Sequence, residues 1–182
     1  MIESIISSLP DRKSFLNGRD SIEIGYPWLT IESIQFLESI INDSFRIFEC
    51  GCGGSTVFYS KRCRDVLALD SNEYWVDKLK NLRLQNSTVV HLNTNDEFLK
   101  YINCLQDNFY DIVSIDSDPG KTNRLLLANA SLSKIKNFGY LILDNYDICG
   151  LENFVIDKKF IVHIFDDPSW QGKGTKIIQV IK

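Results

Sequence analysis

Two apolar runs, each closed by an acid and separated by a glycine-rich turn, narrow the folds open to this chain more than any other feature. The first run and its turn read Phe48-Glu49-Cys50-Gly51-Cys52-Gly53-Gly54-Ser55-Thr56, and the second reads Val66-Leu67-Ala68-Leu69-Asp70. Glycines let the backbone turn sharply and approach a ligand with no Cβ in the way, and Ser55 or Thr56 can cap a helix that follows. A lone acid closing the second strand offers two acceptor oxygens to two adjacent hydroxyls, as on a ribose. Strand, glycine turn, helix and strand are the expected local order.

Missing residues narrow the ligand. A dinucleotide turn of the G-x-G-x-x-G kind needs a third glycine for close helix packing under a pyrophosphate, and counted from Gly51 that position holds Thr56. No G-x-x-x-x-G-K-S/T string is present, which excludes a P-loop. Glu49 is a poor neighbour for phosphate and a good one for a cationic amino group. The expected ligand carries an amino acid at one end and a nucleoside at the other.

Glu49-Cys50-Gly51-Cys52-Gly53-Gly54-Ser55 resembles the first motif of the class I S-adenosylmethionine-dependent methyltransferases, Asp/Glu-x-Gly-x-Gly-x-Ser/Thr, at every specified position. The resemblance spans roughly residues 26–182. It implies that S-adenosylmethionine is the cofactor, with Gly51 and Gly53 along its methionine part and Glu49 near its amino group. Asp70 would meet the ribose hydroxyls, Ser55 and Thr56 would complete the loop, Asp96 would accept from the adenine amino group, and Trp28 would wall the site.

Elsewhere the chain alternates. Thr30 opens a helix carrying Ile31, Ile34, Leu37, Ile40 and Ile41, and strands are expected at Arg46–Cys50, Val66–Asp70, Thr88–Leu92, Tyr110–Asp116, Tyr140–Asp144, Phe160–Phe165 and Thr175–Ile181. Helices are expected around Thr56–Arg62, through Trp75, Leu79 and Leu82, and near Asp96–Leu105 and Lys121–Lys134. The fold class is therefore α/β, a Rossmann-like doubly wound sheet, mostly parallel, with ligands above the carboxyl ends of its strands. The segment Asp166–Gly174 is too short for a crossover helix, so the last two strands should form an antiparallel hairpin. That hairpin is what the resemblance to class I methyltransferases implies. Residues 1–25 read as a lead-in with a turn at Asn17-Gly18, and 26–182 as one domain.

At 182 residues and 44% hydrophobic content the chain can bury one sizeable core. A net charge of −4 gives no electrostatic footprint for a polyanion, so nucleic acid is not the expected partner. The start of the chain lacks a basic region followed by an apolar core, and no apolar run reaches the ~18 residues of a membrane span, so a cytoplasmic protein without a membrane partner is expected. A homodimer is left open. Five scattered cysteines suit a reducing compartment, and Cys50-x-Cys52 lacks the second pair of a zinc site.

A second constellation joins Asp116 to Asp144-Asn145, each just beyond a buried strand. Their three oxygen-bearing side chains could converge on one divalent cation such as magnesium, with Asp116 or Asp144 as the catalytic acceptor of a hydroxyl proton. These positions are similar to the metal sets of the catechol and caffeoyl-coenzyme A O-methyltransferases. In the catechol type a lysine lies three positions after the first metal Asp, whereas Lys121 lies five after Asp116. Trp28-Leu29-Thr30, Tyr74-Trp75 and Arg124 resemble instead a branch of small methyltransferases from polysaccharide and natural-product pathways, whose Asp after the fifth strand need not hold metal. The activity implied is O-methylation of a small-molecule or saccharide-type acceptor. A non-catalytic cofactor-binding subunit and a nicotinamide-dependent oxidoreductase are the alternatives. His91 and His163 read as sheet residues, and Trp170 and Lys173 as candidate substrate contacts.

Overall fold

A computed structural model describes residue 17 and residues 19–152, 154–155, 159–167 and 174–182. In chain order the elements are α1 (Ser21–Ile24), α2 (Ile31–Ile40), β1 (Arg46–Cys50), α3 (Gly54–Ser60), β2 (Asp65–Asp70), α4 (Glu73–Leu82), β3 (Ser87–His91), α5 (Asn95–Cys104), β4 (Tyr110–Ile115) and α6 (Arg124–Ser131). A 3-10 turn at Leu132–Lys134 leads into β5 (Ile135–Asp144), followed by β6 (Lys159–Asp166) and β7 (Gly174–Ile181). Short polar side chains start four of these six helices by capping their first amides. Asn72 accepts from the Tyr74 amide, Thr94 from Glu97 and Asn123 from Leu126.

All seven strands join one sheet in the order β3-β2-β1-β4-β5-β7-β6. The first five run parallel because helices connect them, while β7 lies antiparallel to both β5 and β6. The expected doubly wound sheet with its terminal hairpin is what the chain forms. Alternation along each strand divides the core. Phe48, Val113 and Leu141 pack with Phe98 and Leu127 on one face, and Ile47, Ile112 and Ile142 pack with Leu37 and Phe58 on the other.

Several boundaries differ from expectation, most of all around β5. The helix expected to reach Lys134 ends at Ser131, and β5 starts at Ile135 rather than Tyr140. Phe138 at φ 62° and a register shift between Tyr110 and Ile112 interrupt the strand's first half, which hides its period in the sequence. The lead-in contains α1, whose Ile22 is buried with Val57 and Leu79. Residues 1–16, Gly18, Trp170 and Lys173 lie outside the described residues. Among the described residues no helix is long and apolar enough to cross a membrane.

Gly54 is where α3 meets the N-terminal segment. A Cβ there would stand 2.0 Å from the Tyr26 carbonyl oxygen and 2.4 Å from that of Ser21. Backbone on both sides cannot yield as a side-chain end would, so Gly54→Ala should destabilise by at least about 1–3 kcal/mol, the overpacking range. Thermal unfolding checks this; an unchanged midpoint would show that α1 does not hold the turn.

Candidate functional site

The glycine turn joins β1, at the centre of the parallel strands, to α3, and the strands on either side supply its neighbours. The Gly51 amide donates to the Leu69 carbonyl at 2.7 Å, and the Cys52 amide to the Asp70 carboxylate at 2.6 Å. The Gly53 amide donates to the Thr56 hydroxyl at 3.1 Å and the Gly54 amide to the Ser21 hydroxyl at 3.2 Å. Four consecutive amides are thus committed within the chain. A phosphate cradle needs such amides free to point at the anion.

Glu49 follows Ile47 to the α3 face of the sheet, since strand side chains alternate. Its carboxyl is 1% exposed and accepts from Ser55 Oγ at 2.6 Å and Thr56 Oγ1 at 2.5 Å. Burial pushes the group up to about 8, assisted by Asp116 and Asp70 and opposed by the two hydroxyls. Glu49, Ser55 and Thr56 hold one another and shape the turn. Gly51, at φ 102°, faces the next strand: a Cβ would lie 2.4 Å from the Asp116 carbonyl oxygen. Close backbone packing by itself requires glycine there. Gly53 has only ordinary contact, 3.4 Å to Ser21 Oγ.

Asp70 ends β2 with its second oxygen accepting from the Asn72 amide at 2.7 Å. Each carboxylate oxygen takes one amide and the Cys52 thiol also bonds the group, which leaves acceptor capacity among its roughly four lone-pair sites. Beside it, Ser71 Oγ is buried without a partner. That orphan hydroxyl and the spare acceptors of Asp70 fit a hydroxyl-bearing ligand such as a ribose. Lys121 reaches from beyond β4 to donate to the Ser71 carbonyl at 2.9 Å, and His91 lies 3.3 Å from the same oxygen. Asp96 is exposed in the first turn of α5, where Thr94 rather than Asp96 is the cap. Trp28 is half-exposed just before α2.

The strand ends after β4 and β5 are joined by a residue that matters more than its sequence context suggested. Arg124 is 5% exposed and donates from Nε to the Ser117 carbonyl at 2.7 Å, from one terminal nitrogen to the Asp144 carbonyl at 2.7 Å, and from the other to Asp116 Oδ1 at 2.9 Å. This pairing bears directly on the metal set expected from Asp116, Asp144 and Asn145. A guanidinium already neutralises Asp116, and a divalent cation at that carboxylate would be repelled by it. Among the described residues no group of three or more His, Cys, Asp or Glu gathers at one point. Asp144 is buried and accepts from Thr175 Oγ1 at 3.3 Å, which itself accepts from the Thr30 amide at 3.3 Å. Asn145 turns the chain with φ 49°.

An open cleft of about 730 Å³ lies beside these strand ends, lined by Pro119, Lys121, Asn123, Leu126, Ile148 and Cys149 among others. A second cavity, about 440 Å³, lies among Arg46, Asp65 and Ser87 at the starts of β1, β2 and β3, the opposite end of the sheet. The cysteines are all free, and burial followed by Asp70 and Glu49 pushes the Cys52 thiol up, far from a thiolate ligand.

No protein-family model matches the chain, and no curated protein matches it. Solved structures do. A candidate methyltransferase from Streptococcus mutans in complex with SAH superposes with a TM-score of 0.62 at 16% identity, covering 82% of this chain and 96% of that one. An rRNA methylase from Streptococcus thermophilus gives 0.61 at 12%, covering 83% and 95%. A SAM-dependent methyltransferase from Aquifex aeolicus gives 0.56 at 17%, covering 97% and 96%. The fold is that of the class I methyltransferases. The glycine turn, Asp70 and the Asp116–Arg124–Asp144 cluster share one end of the sheet, at the carboxyl ends of the parallel strands.

Sequence reasoning picked out the turn and the acids but not Gly54, Ser21 or the reach of Arg124. Three glycines in four positions signal tight packing, yet nothing local says against what. Arg124 finds its acceptors at positions 116, 117 and 144, the last of them 20 residues away.

Proposed function

We propose that this chain is an S-adenosylmethionine-dependent methyltransferase that methylates oxygen on a small-molecule or saccharide-type acceptor. The observation that carries the reading is the commitment of the four amides from Gly51 to Gly54, set beside an Asp70 that keeps acceptor capacity. That turn suits a nucleoside linked to an amino acid rather than a pyrophosphate. The sulfonium cofactor supplies an already activated methyl group, so the protein's task is to hold an acceptor oxygen in line. Asp70 binds the ribose hydroxyls in this reading, and Gly51 and Gly53 keep the turn flat beneath the methionine part. Trp28 and Asp96 flank the cofactor, and Glu49, Ser55 and Thr56 fix the turn from below. Asp116, one third exposed and oriented by Arg124, accepts the hydroxyl proton, while buried Asp144 positions the end of β5.

Titration calorimetry tests it. S-adenosylhomocysteine should bind and NAD should not; the reverse would end the methyltransferase reading. Asp70→Ala should weaken S-adenosylhomocysteine by about 1.5–3 kcal/mol, the scale of a hydrogen bond to a charged group, and unchanged affinity would remove Asp70 from the site.

A second reading has RNA as acceptor, because rRNA methylases share the fold. The net charge of −4 argues against it, since phosphate contacts need basic residues. Labelled methyl transfer to total RNA and to hydroxyl-bearing small molecules separates the two. Transfer to neither, with cofactor bound, would favour a non-catalytic subunit.

A further inference from the structure

Among the described residues β6 forms one edge of the sheet, and it runs for eight residues. Natural edge strands are kept from pairing with other chains by proline, an inner charge or a bulge. Between its ends β6 reads Phe-Ile-Val-His-Ile-Phe, and its register with β7 is unbroken from Lys159 opposite Ile181 to Asp166 opposite Gly174. The charges stand at its ends, Lys159 at the start, Asp166 at the finish and Asp167 just beyond. On one face Phe160, Val162 and Ile164 are 44%, 39% and 53% exposed. On the other, His163 and Phe165 pack on Phe36 of α2, with ring centroids 4.7 and 5.6 Å away.

We propose that a second copy of this chain pairs antiparallel with β6, continuing the sheet across a two-fold axis at Val162. The end charges choose the direction. Antiparallel pairing brings the basic start of one strand to the acidic finish of the other, whereas parallel pairing would align like charges. Symmetry then limits the register. Side chains directly opposite share a face, so a two-fold axis normal to the sheet must set a residue against its own copy. With Val162 on the axis, Phe160 faces the partner's Ile164, and Ile164 faces the partner's Phe160. Three exposed apolar side chains from each copy then close into one patch, and Lys159 lies diagonal to the partner's Asp167. Placing His163 on the axis would instead set Phe160 against the partner's Asp166, a poorer match.

The pairing does not depend on the proposed chemistry and is tested without it. Sedimentation of the full chain at micromolar concentration should give about twice 20.9 kDa. Val162→Lys sets two ammonium groups face to face at a position already partly in water, so it should give a monomer with an unchanged circular dichroism spectrum. Val162→Cys should, on mild oxidation, give a covalent dimer linked through position 162 by peptide mapping. Ile161→Cys, which does not face its own copy, should give no link through 161. A wild-type monomer would overturn the proposal. So would a dimer that survives Val162→Lys, or one that shows no link through 162.

Discussion

Arg124→Ala should lower the free energy of unfolding by about 2–4 kcal/mol, read by urea denaturation. The change strips donors from the Ser117 and Asp144 carbonyls and removes the guanidinium from Asp116. The effect falls short of the full range for a wholly buried pair because the Asp116 side chain keeps about a third of its surface in water. Arg124→Lys should recover little of the loss, since one ammonium cannot span three acceptors in a fixed fork. A shift under about 1 kcal/mol would show that the β4 and β5 ends hold their geometry without the arginine. If Asp116 is the proton acceptor proposed above, methyl transfer should fall further than stability predicts, because Asp116 would lose its fixed orientation.

Glu49 governs the second large effect. Its carboxyl is raised from an ordinary 4.5 to about 8, so the folded state favours the protonated form. The stability this confers is fully present below about pH 4.5 and is lost as pH rises through about 8. Over that window the loss is on the order of a few kcal/mol. Glu49→Gln keeps an acceptor for one hydroxyl and offers the other an amide donor, with nothing left to ionise. The melting temperature of the variant should therefore stay level where that of the wild type falls, and the variant should be the more stable at pH 8.5. Equal slopes for the two proteins would place the titration elsewhere. If the proposed cofactor binds, its positive charge favours ionised Glu49, and calorimetry in buffers of different ionisation enthalpy should show proton release below about pH 8.

Much of the architecture was legible because period and punctuation agree. Arg46–Cys50, Tyr110–Ile115 and the closing hairpin are short apolar runs between turn residues, and Asn72 and Asn123 stand where helix caps belong. The first half of β5 was not legible, since Phe138 and Gly139 break its alternation. The site was half legible. Motif residues mark where a turn lies, but the direction of Glu49 follows from strand parity and from α3 above it. Asp116 and Asp144 suggested a cation, and the Arg124 side chain that pairs with Asp116 is one that local spacing does not assign. Thr30 stands at the start of α2 as expected, yet its hydroxyl makes no cap bond.

The contact between Gly51 and the Asp116 backbone carries a consequence for how such a protein can diversify. The turn that would seat the donor and the strand end that would face the acceptor touch main chain to main chain, where a Cβ would come within 2.4 Å. Neither backbone can shift without moving the other, so changes of acceptor cannot be made by reshaping residues 116–117. They are open instead where the chain is free to lengthen or vary, at 118–123 and 145–150, the two loops beside the open cleft. A library aimed at new acceptors belongs in those loops, with Gly51 and Asp116 held constant.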